Sequence, residues 1–278
     1  MMNRNSYRLC GKLVITMALY MLSGIATKSQ PYNYYKPLAL VNPAHFDAKE
    51  YSLALGYDGG VDFNLSYSIT KNVALFAGGN ANAFAYPKKA SVNYTIHNSN
   101  FTGLAGLGYF KHRQYNFFNI VELFAGGRIS TVDNFVRKEN STSESFDDFT
   151  KAQYFTLFGQ LQTNAMKKKY GLLFASRISY NTYSLLEFYR RSRSQVSEAT
   201  SPFGLLALEP AFGLTLPVKN IRFNLQLGVS LPVYSEETKI TETFVASGAT
   251  NDYTENYGDF YFFWRLNFSF LKTKWKLR

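Results

Sequence analysis

The sequence predicts an all-β fold, a transmembrane antiparallel up-and-down β-barrel of about ten strands. Three observations carry that expectation. Apolar and polar residues alternate with period two in several segments, connections between segments alternate between short and long, and charged residues are only 18% of a chain that is 46% hydrophobic. The same composition excludes intrinsic disorder. One cysteine, Cys10, excludes disulfide frameworks and Cys-ligated zinc, and His45, His97 and His112 lack the spacing of a helical metal site, so no cofactor is expected.

The N-terminus comes first. Residues Met1 to Lys12 are polar and basic, and Leu13 to Ala26 form an uncharged apolar run followed by TKSQ. A bilayer-spanning helix takes about 20 apolar residues, so the run is too short for an anchor and has the three-part layout of a cleaved signal peptide. Residues 1–29 are therefore read as the signal, with cleavage after Ala26 or Ser29. Gln30 to Lys49 reads as a periplasmic segment, 50–271 as the barrel and 272–278 as a basic tail.

Three strands stand out. In Val61 to Ile69, Val61, Phe63, Leu65, Tyr67 and Ile69 alternate with Asp62, Asn64, Ser66 and Ser68. Ile221 to Leu231 and Phe260 to Phe270 repeat the pattern. Seven further segments fit it more loosely: Glu50 to Asp58, Val73 to Phe84, Phe101 to Phe110, Tyr115 to Ile129, Ala152 to Asn164, Tyr170 to Tyr180 and Phe203 to Leu216. LFAGGN at Leu75 to Asn80 and LFAGGR at Leu123 to Arg128 read as equivalent strands running the same way.

Joins at Thr70 to Asn72, Lys111 to Gln114, Ala165 to Lys169 and Pro217 to Asn220 are short. Those at Ala85 to Asn100, Ser130 to Lys151, Asn181 to Pro202 and Pro232 to Asp259 are long, as at the outer rim of an outer-membrane barrel. Lipid, not a protein interior, is expected to meet the apolar faces, because ten strands enclose too narrow a lumen for so many Phe, Leu and Trp side chains. Basic residues gather in the short turns and tail, whereas acids concentrate in the long loops. Arg4, Arg8, Lys12 and Lys28 carry four of the +11 formal charges within the signal; a basic rim at anionic headgroups, or turns that simply accept Lys, accounts for the remaining +7 without nucleic acid, and the partners expected are outer-membrane lipids and an envelope protein.

Apolar faces turned outward send Asp62, Glu122, Glu209, Arg177, Arg222 and Arg265 into the lumen as a candidate charge network. Barrels of this girth are filled by side chains, so an open porin is disfavoured. Glycines on inward positions are expected to make room for large neighbours. No catalytic role is expected. His97 and the Asp147, Asp148 pair fall in long loops, no surrounding residues match an omptin-type protease, and no expected strand carries a histidine for a phospholipase-like set.

Tyr35-Lys36-Pro37, Asn42-Pro43 and Ala48-Lys49-Glu50, leading into YSLALGYDGGVDFNLSYSITKNVALFAGG, resemble the opening of uncharacterised outer-membrane barrels of Bacteroidetes-type bacteria. Leu208-Glu209-Pro210-Ala211 resembles a Glu-Pro-Ala strand of that group. The resemblance implies a barrel in the envelope of a Gram-negative bacterium and supplies no ligand. The expected function is a narrow plugged barrel with a structural or partner-binding role through its outer loops. The alternatives are a conduit for a small solute and, less favoured, a surface hydrolase.

Overall fold

The computed structural model describes residues 34–37, 40–57, 60–88, 94–112, 117–138, 148–167, 170–190, 195–200, 202–218, 221–258 and 260–271. The expected signal peptide and basic tail lie outside these residues, as do Glu139, Glu144 and Asp147.

The strands are β1 (Tyr51–Tyr57), β2 (Val61–Ser68), β3 (Val73–Lys88), β4 (Tyr94–His112), β5 (Ile120–Lys138), β6 (Asp148–Met166) and β7 (Gly171–Arg190). There follow β8 (Gln195–Ala199), β9 (Phe203–Val218), β10 (Ile221–Ser235), β11 (Glu237–Phe244), β12 (Thr250–Asn256) and β13 (Tyr261–Leu271). Ten of them close an antiparallel barrel. Strands β1 to β7 pair in chain order, β7 pairs β9, β9 pairs β10, β10 pairs β13, and β13 closes on β1. Closure pairs every barrel strand on both sides and leaves no open edge within the barrel.

Period two decides which way each side chain points. On β2, Val61, Phe63, Leu65 and Tyr67 are exposed, whereas Asp62, Ser66 and Ser68 are buried. The exposed apolar residues form a band around the outside. On β4 it runs from Phe101 to Tyr109, on β2 and the residue after it from Val61 to Ile69, and on β5 it ends at Ile129. Nine residues rising about 3.3 Å each, with the strands tilted about 40°, span roughly 23 Å. Tyrosines mark both ends of the band, with Tyr51, Tyr67 and Tyr109 near the short turns and Tyr57 and Tyr180 toward the long strands.

The two LFAGG segments lie on β3 and β5, which both pair antiparallel with β4 and so run the same way. Phe76 and Phe124 take equivalent inward positions with ring centroids 5.6 Å apart. Gly106, on β4 between them, makes that possible, because a Cβ there would stand 2.5 Å from Phe76 Cζ. Not every strand glycine does this. Gly79 and Gly127 sit on outward positions beside Phe63 and Phe155.

Several strands are longer than the sequence suggests. Strands β4, β5 and β6 have 19 residues each and β7 has 20, so their upper halves rise beyond the apolar band. Two stretches expected as loops, Asn181 to Pro202 and Pro232 to Asp259, hold the upper part of β7 together with β8, β11 and β12. Strand β7 exchanges β9 for β8 at Glu187, and β8, β11 and β12 extend the sheet from there. Above the band the inward face mixes polar and apolar residues, as in ETKITETF of β11, where Thr238 and Glu242 flank the buried Ile240, so the alternation that reveals a strand at membrane height is blurred. His97 likewise lies on β4, not in a loop, with its ring stacked on Phe135 at 4.4 Å, and His112 ends the same strand.

Candidate functional site: the barrel lumen

The segment expected in the periplasm, Gln30 to Lys49, lies inside the barrel over residues 34–37 and 40–46, and Asp47 and Lys49 are exposed at its foot. It forms a strap that descends the lumen and then reverses into β1, with Ala44 at φ 49° and Lys49 at φ 61° marking the turn. Strand β6 measures its course. Ala44 packs on Met166, Asn42 meets Gln162, Val41 meets Gln160 and Phe158, and Lys36 meets Tyr154. Met166 adjoins the short turn and Tyr154 stands toward the long-strand end, so the strap runs nearly the length of the lumen. Composition hid this, because the strap's few charges suit a periplasmic linker as well as a barrel interior.

Three apolar layers each include strap residues. At the short-turn end, Ala44 and Phe46 join Ile120 and Met166. At mid-height Val41 sits among Phe76, Leu104, Phe124 and Phe158. At the long-strand end Tyr34 and Tyr35 pack with Tyr154, Tyr183, Phe203 and Tyr261, and Tyr257 from the segment after β12 closes over Tyr34 at 5.5 Å between rings. Hydrogen bonds tie the foot of the strap, where Ser68 Oγ donates to Asp47 O (2.7 Å) and accepts from the Glu50 amide (2.8 Å). Ser66 Oγ donates to Leu75 O at 3.0 Å, so His45 Nε2–H donates to Ser66 Oγ at 2.7 Å.

All six charged residues expected in the lumen are buried, but they form separate groups. Asp62 pairs with Arg265 at 2.5 Å across β2 and β13. Glu209 pairs with Arg177 across β9 and β7, and also accepts hydrogen bonds from Ser179 Oγ and the Tyr35 hydroxyl. Glu122 accepts from Gln162 (2.5 Å) and Asn164 (2.9 Å), while Arg222 donates to Pro43 O at 3.2 Å. Each carboxylate is therefore met by donors, as burial demands.

Two further buried charges, Arg128 and Glu50, belong with this set. Arg128 donates to Thr156, Asn181 and the Tyr35 hydroxyl and lies over the Tyr35 and Tyr154 rings. Parity identified it in principle, since Arg128 shares the even, inward positions of β5 with Glu122. Glu50 Oε2 accepts from the Phe46 amide at 2.7 Å and faces His45 Nδ1 at 3.7 Å.

Two glutamines hold the strap's main chain. Gln226 of β10 accepts from Leu40 N–H (3.0 Å) and donates to Leu40 O (3.2 Å). Gln160 of β6 accepts from Val41 N–H (3.3 Å) and donates to Val41 O (2.7 Å). The Gln160 orientation follows from a hydrogen-bond series that begins at Glu122. Gln162 donates its amide N to Glu122 and offers Oε1 to Gln160 Nε2 (2.6 Å), leaving the Gln160 oxygen for Val41 N–H. Each bond adds about 0.5–1.5 kcal/mol net, and an orphaned partner costs about 1–3 kcal/mol.

Above the lumen, β8, β11 and β12 carry a polar, largely acidic surface. Lys239 pairs with Asp252 at 2.7 Å, and with a Thr241 hydrogen bond holds that carboxyl below the usual range. Burial, Glu242 and Glu255 push the Tyr253 hydroxyl up to about 12. Among the described residues no group of His, Cys, Asp and Glu is arranged to hold a metal ion. No protein-family model matches the chain, and no curated protein matches it either.

Proposed function

We propose that the chain is an outer-membrane barrel of a Gram-negative bacterium, of the Bacteroidetes-type group it resembles, closed internally by its own N-terminal strap. Its role is structural or partner-binding, exercised through the β8, β11 and β12 sheet and the long hairpins, and it has no catalytic function. One observation carries this assignment: an apolar, tyrosine-edged outer band encloses a buried interior of four acids and four arginines among the described residues. A water-soluble barrel would place its apolar residues inside. The height of the band, roughly 23 Å, suits a bacterial outer membrane. The strap supports closure, since it fills three successive layers of the lumen.

The test has two arms. The purified protein should require detergent and should migrate differently on gels before and after boiling in SDS; a monodisperse sample in plain buffer would defeat the membrane assignment. In planar bilayers the intact chain should show no porin-like conductance. Steady conductance would favour the alternative, a small-solute conduit lined by the Asp62/Arg265 and Arg177/Glu209 pairs.

A further inference from the structure

We propose that the lumen is a binding site for extended polypeptide, recognised through its main chain, and that the N-terminal strap is its tethered resident ligand. The inference deepens the strapped-barrel assignment and rests on it. What distinguishes the strap from ordinary core packing is the part of it that the wall recognises. Gln160 and Gln226, on β6 and β10, each engage both main-chain polar groups of one residue, at the successive positions Val41 and Leu40. Tyr154 Oη accepts from Lys36 N–H (3.1 Å), and Arg222 donates to Pro43 O (3.2 Å). With the bond that Tyr154 Oη donates to Lys36 O (3.4 Å), seven main-chain atoms are met by four side chains from the wall.

A side-chain amide that accepts from N–H and donates to C=O of the same residue reproduces half of a β-ladder step. Such contacts are offered by any extended peptide and do not depend on its side chains, which is how edge-strand peptide sites obtain affinity. The clamp is also prearranged, because the Glu122–Gln162–Gln160 series fixes which end of the Gln160 amide faces the peptide. In an empty lumen these amides would turn to water, and an extended main chain replaces those waters at both ends of each amide. Tethering gives the strap a high effective concentration, and a free peptide must outcompete it unless the tether is cut.

The turn between the strap and β1 offers a place to cut, since Asp47 and Lys49 are exposed. A specific protease site inserted between Asp47 and Ala48 allows the folded, detergent-solubilised full chain to be nicked. The cleaved strap should remain bound through gel filtration and exchange with excess fluorescent peptide of the strap sequence, residues 34–47. A peptide with other apolar residues at positions 40 and 41 should bind within a few-fold of it. A peptide N-methylated at those two positions should bind about tenfold more weakly per blocked amide, because each methyl removes a donor from a buried glutamine oxygen. Gln160→Leu with Gln226→Leu should erase the difference between methylated and unmethylated peptides.

Equal binding of the methylated peptide overturns the proposal, as does a nicked strap that neither dissociates nor exchanges. If the protease does not reach the turn, the same peptides are added to a variant lacking residues 30–46 refolded in detergent, and failure of all of them to bind counts equally against it. A barrel stable without detergent that still exchanges peptide would defeat the membrane assignment alone.

Discussion

Replacing Glu209 by Gln tests whether the buried charges hold the barrel together. Glu209 is wholly buried and accepts from Arg177, Ser179 and Tyr35. The amide keeps the shape but removes the charge, leaving the Arg177 guanidinium, itself buried, without its ionised partner. Tyr35 loses a strong acceptor as well, and Arg128 is bonded to that hydroxyl. Breaking a buried pair from one side costs about 3–5 kcal/mol. For a chain of this size each kcal/mol moves the melting midpoint by about 2–4 °C, so Glu209→Gln should melt roughly 6–20 °C below the parent. Removing both charges, in Arg177→Met with Glu209→Leu, should recover part of the loss, because the Arg177 charge goes as well, while the neighbouring Arg128 still loses the charge of Glu209. The measurement is thermal unfolding in detergent, followed by circular dichroism and by the mobility of unboiled samples. A single variant within about 2 °C of the parent would show that the Arg177–Glu209 pair contributes nothing to the fold.

Four other outcomes are expected. Gly106→Ala drives a methyl against Phe76 and the β5 backbone and should destabilise the barrel by about 1–3 kcal/mol, whereas Gly159→Ala, with nothing within 4 Å, should be neutral or slightly stabilising. Equal behaviour of the two in denaturant titration would contradict the packing described. Glu122→Gln frees the Gln162 and Gln160 amides to flip, and should speed hydrogen exchange at Val41 while leaving β12 unchanged; unaltered protection at Val41 refutes the orienting role. Arg265→Ala leaves Asp62 buried and should cost about 3–5 kcal/mol, partly rescued by Asp62→Asn in the same chain, and strict additivity of the two would argue against their pairing. The folded Asp252 carboxyl titrates below its ordinary value of 3.8, so its contribution is complete above that value and lost as pH falls through the lowered one. Exchange at β12 amides should therefore rise at acid pH in the parent but not further in Asp252→Asn; the same acid response in both would exclude Lys239 and Asp252 as its source.

The sequence alone determined the parts of this protein where one face meets an apolar surface and the other a polar one. Strand β2 was legible because Val61, Phe63, Leu65 and Tyr67 point one way and Asp62, Ser66 and Ser68 the other, and the inward positions of Asp62, Glu122, Glu209, Arg177, Arg222 and Arg265 followed from the same parity. Strand β11 was not legible, since its inward face mixes Thr238 and Glu242 with the buried Ile240 and its outward face is polar, which leaves no apolar alternation to read in Glu237 to Phe244. Only the tertiary structure decided which charges pair. Arg177 and Glu209 are 32 residues apart, and Asp62 and Arg265 come together because β13 closes on β1 beside β2. It also decided that the segment around Leu40 and Val41 lies within the barrel, held by Gln160 and Gln226. Main-chain atoms make those contacts, and every residue except proline carries the same N–H and C=O, so no pattern of side chains along the strap announces them.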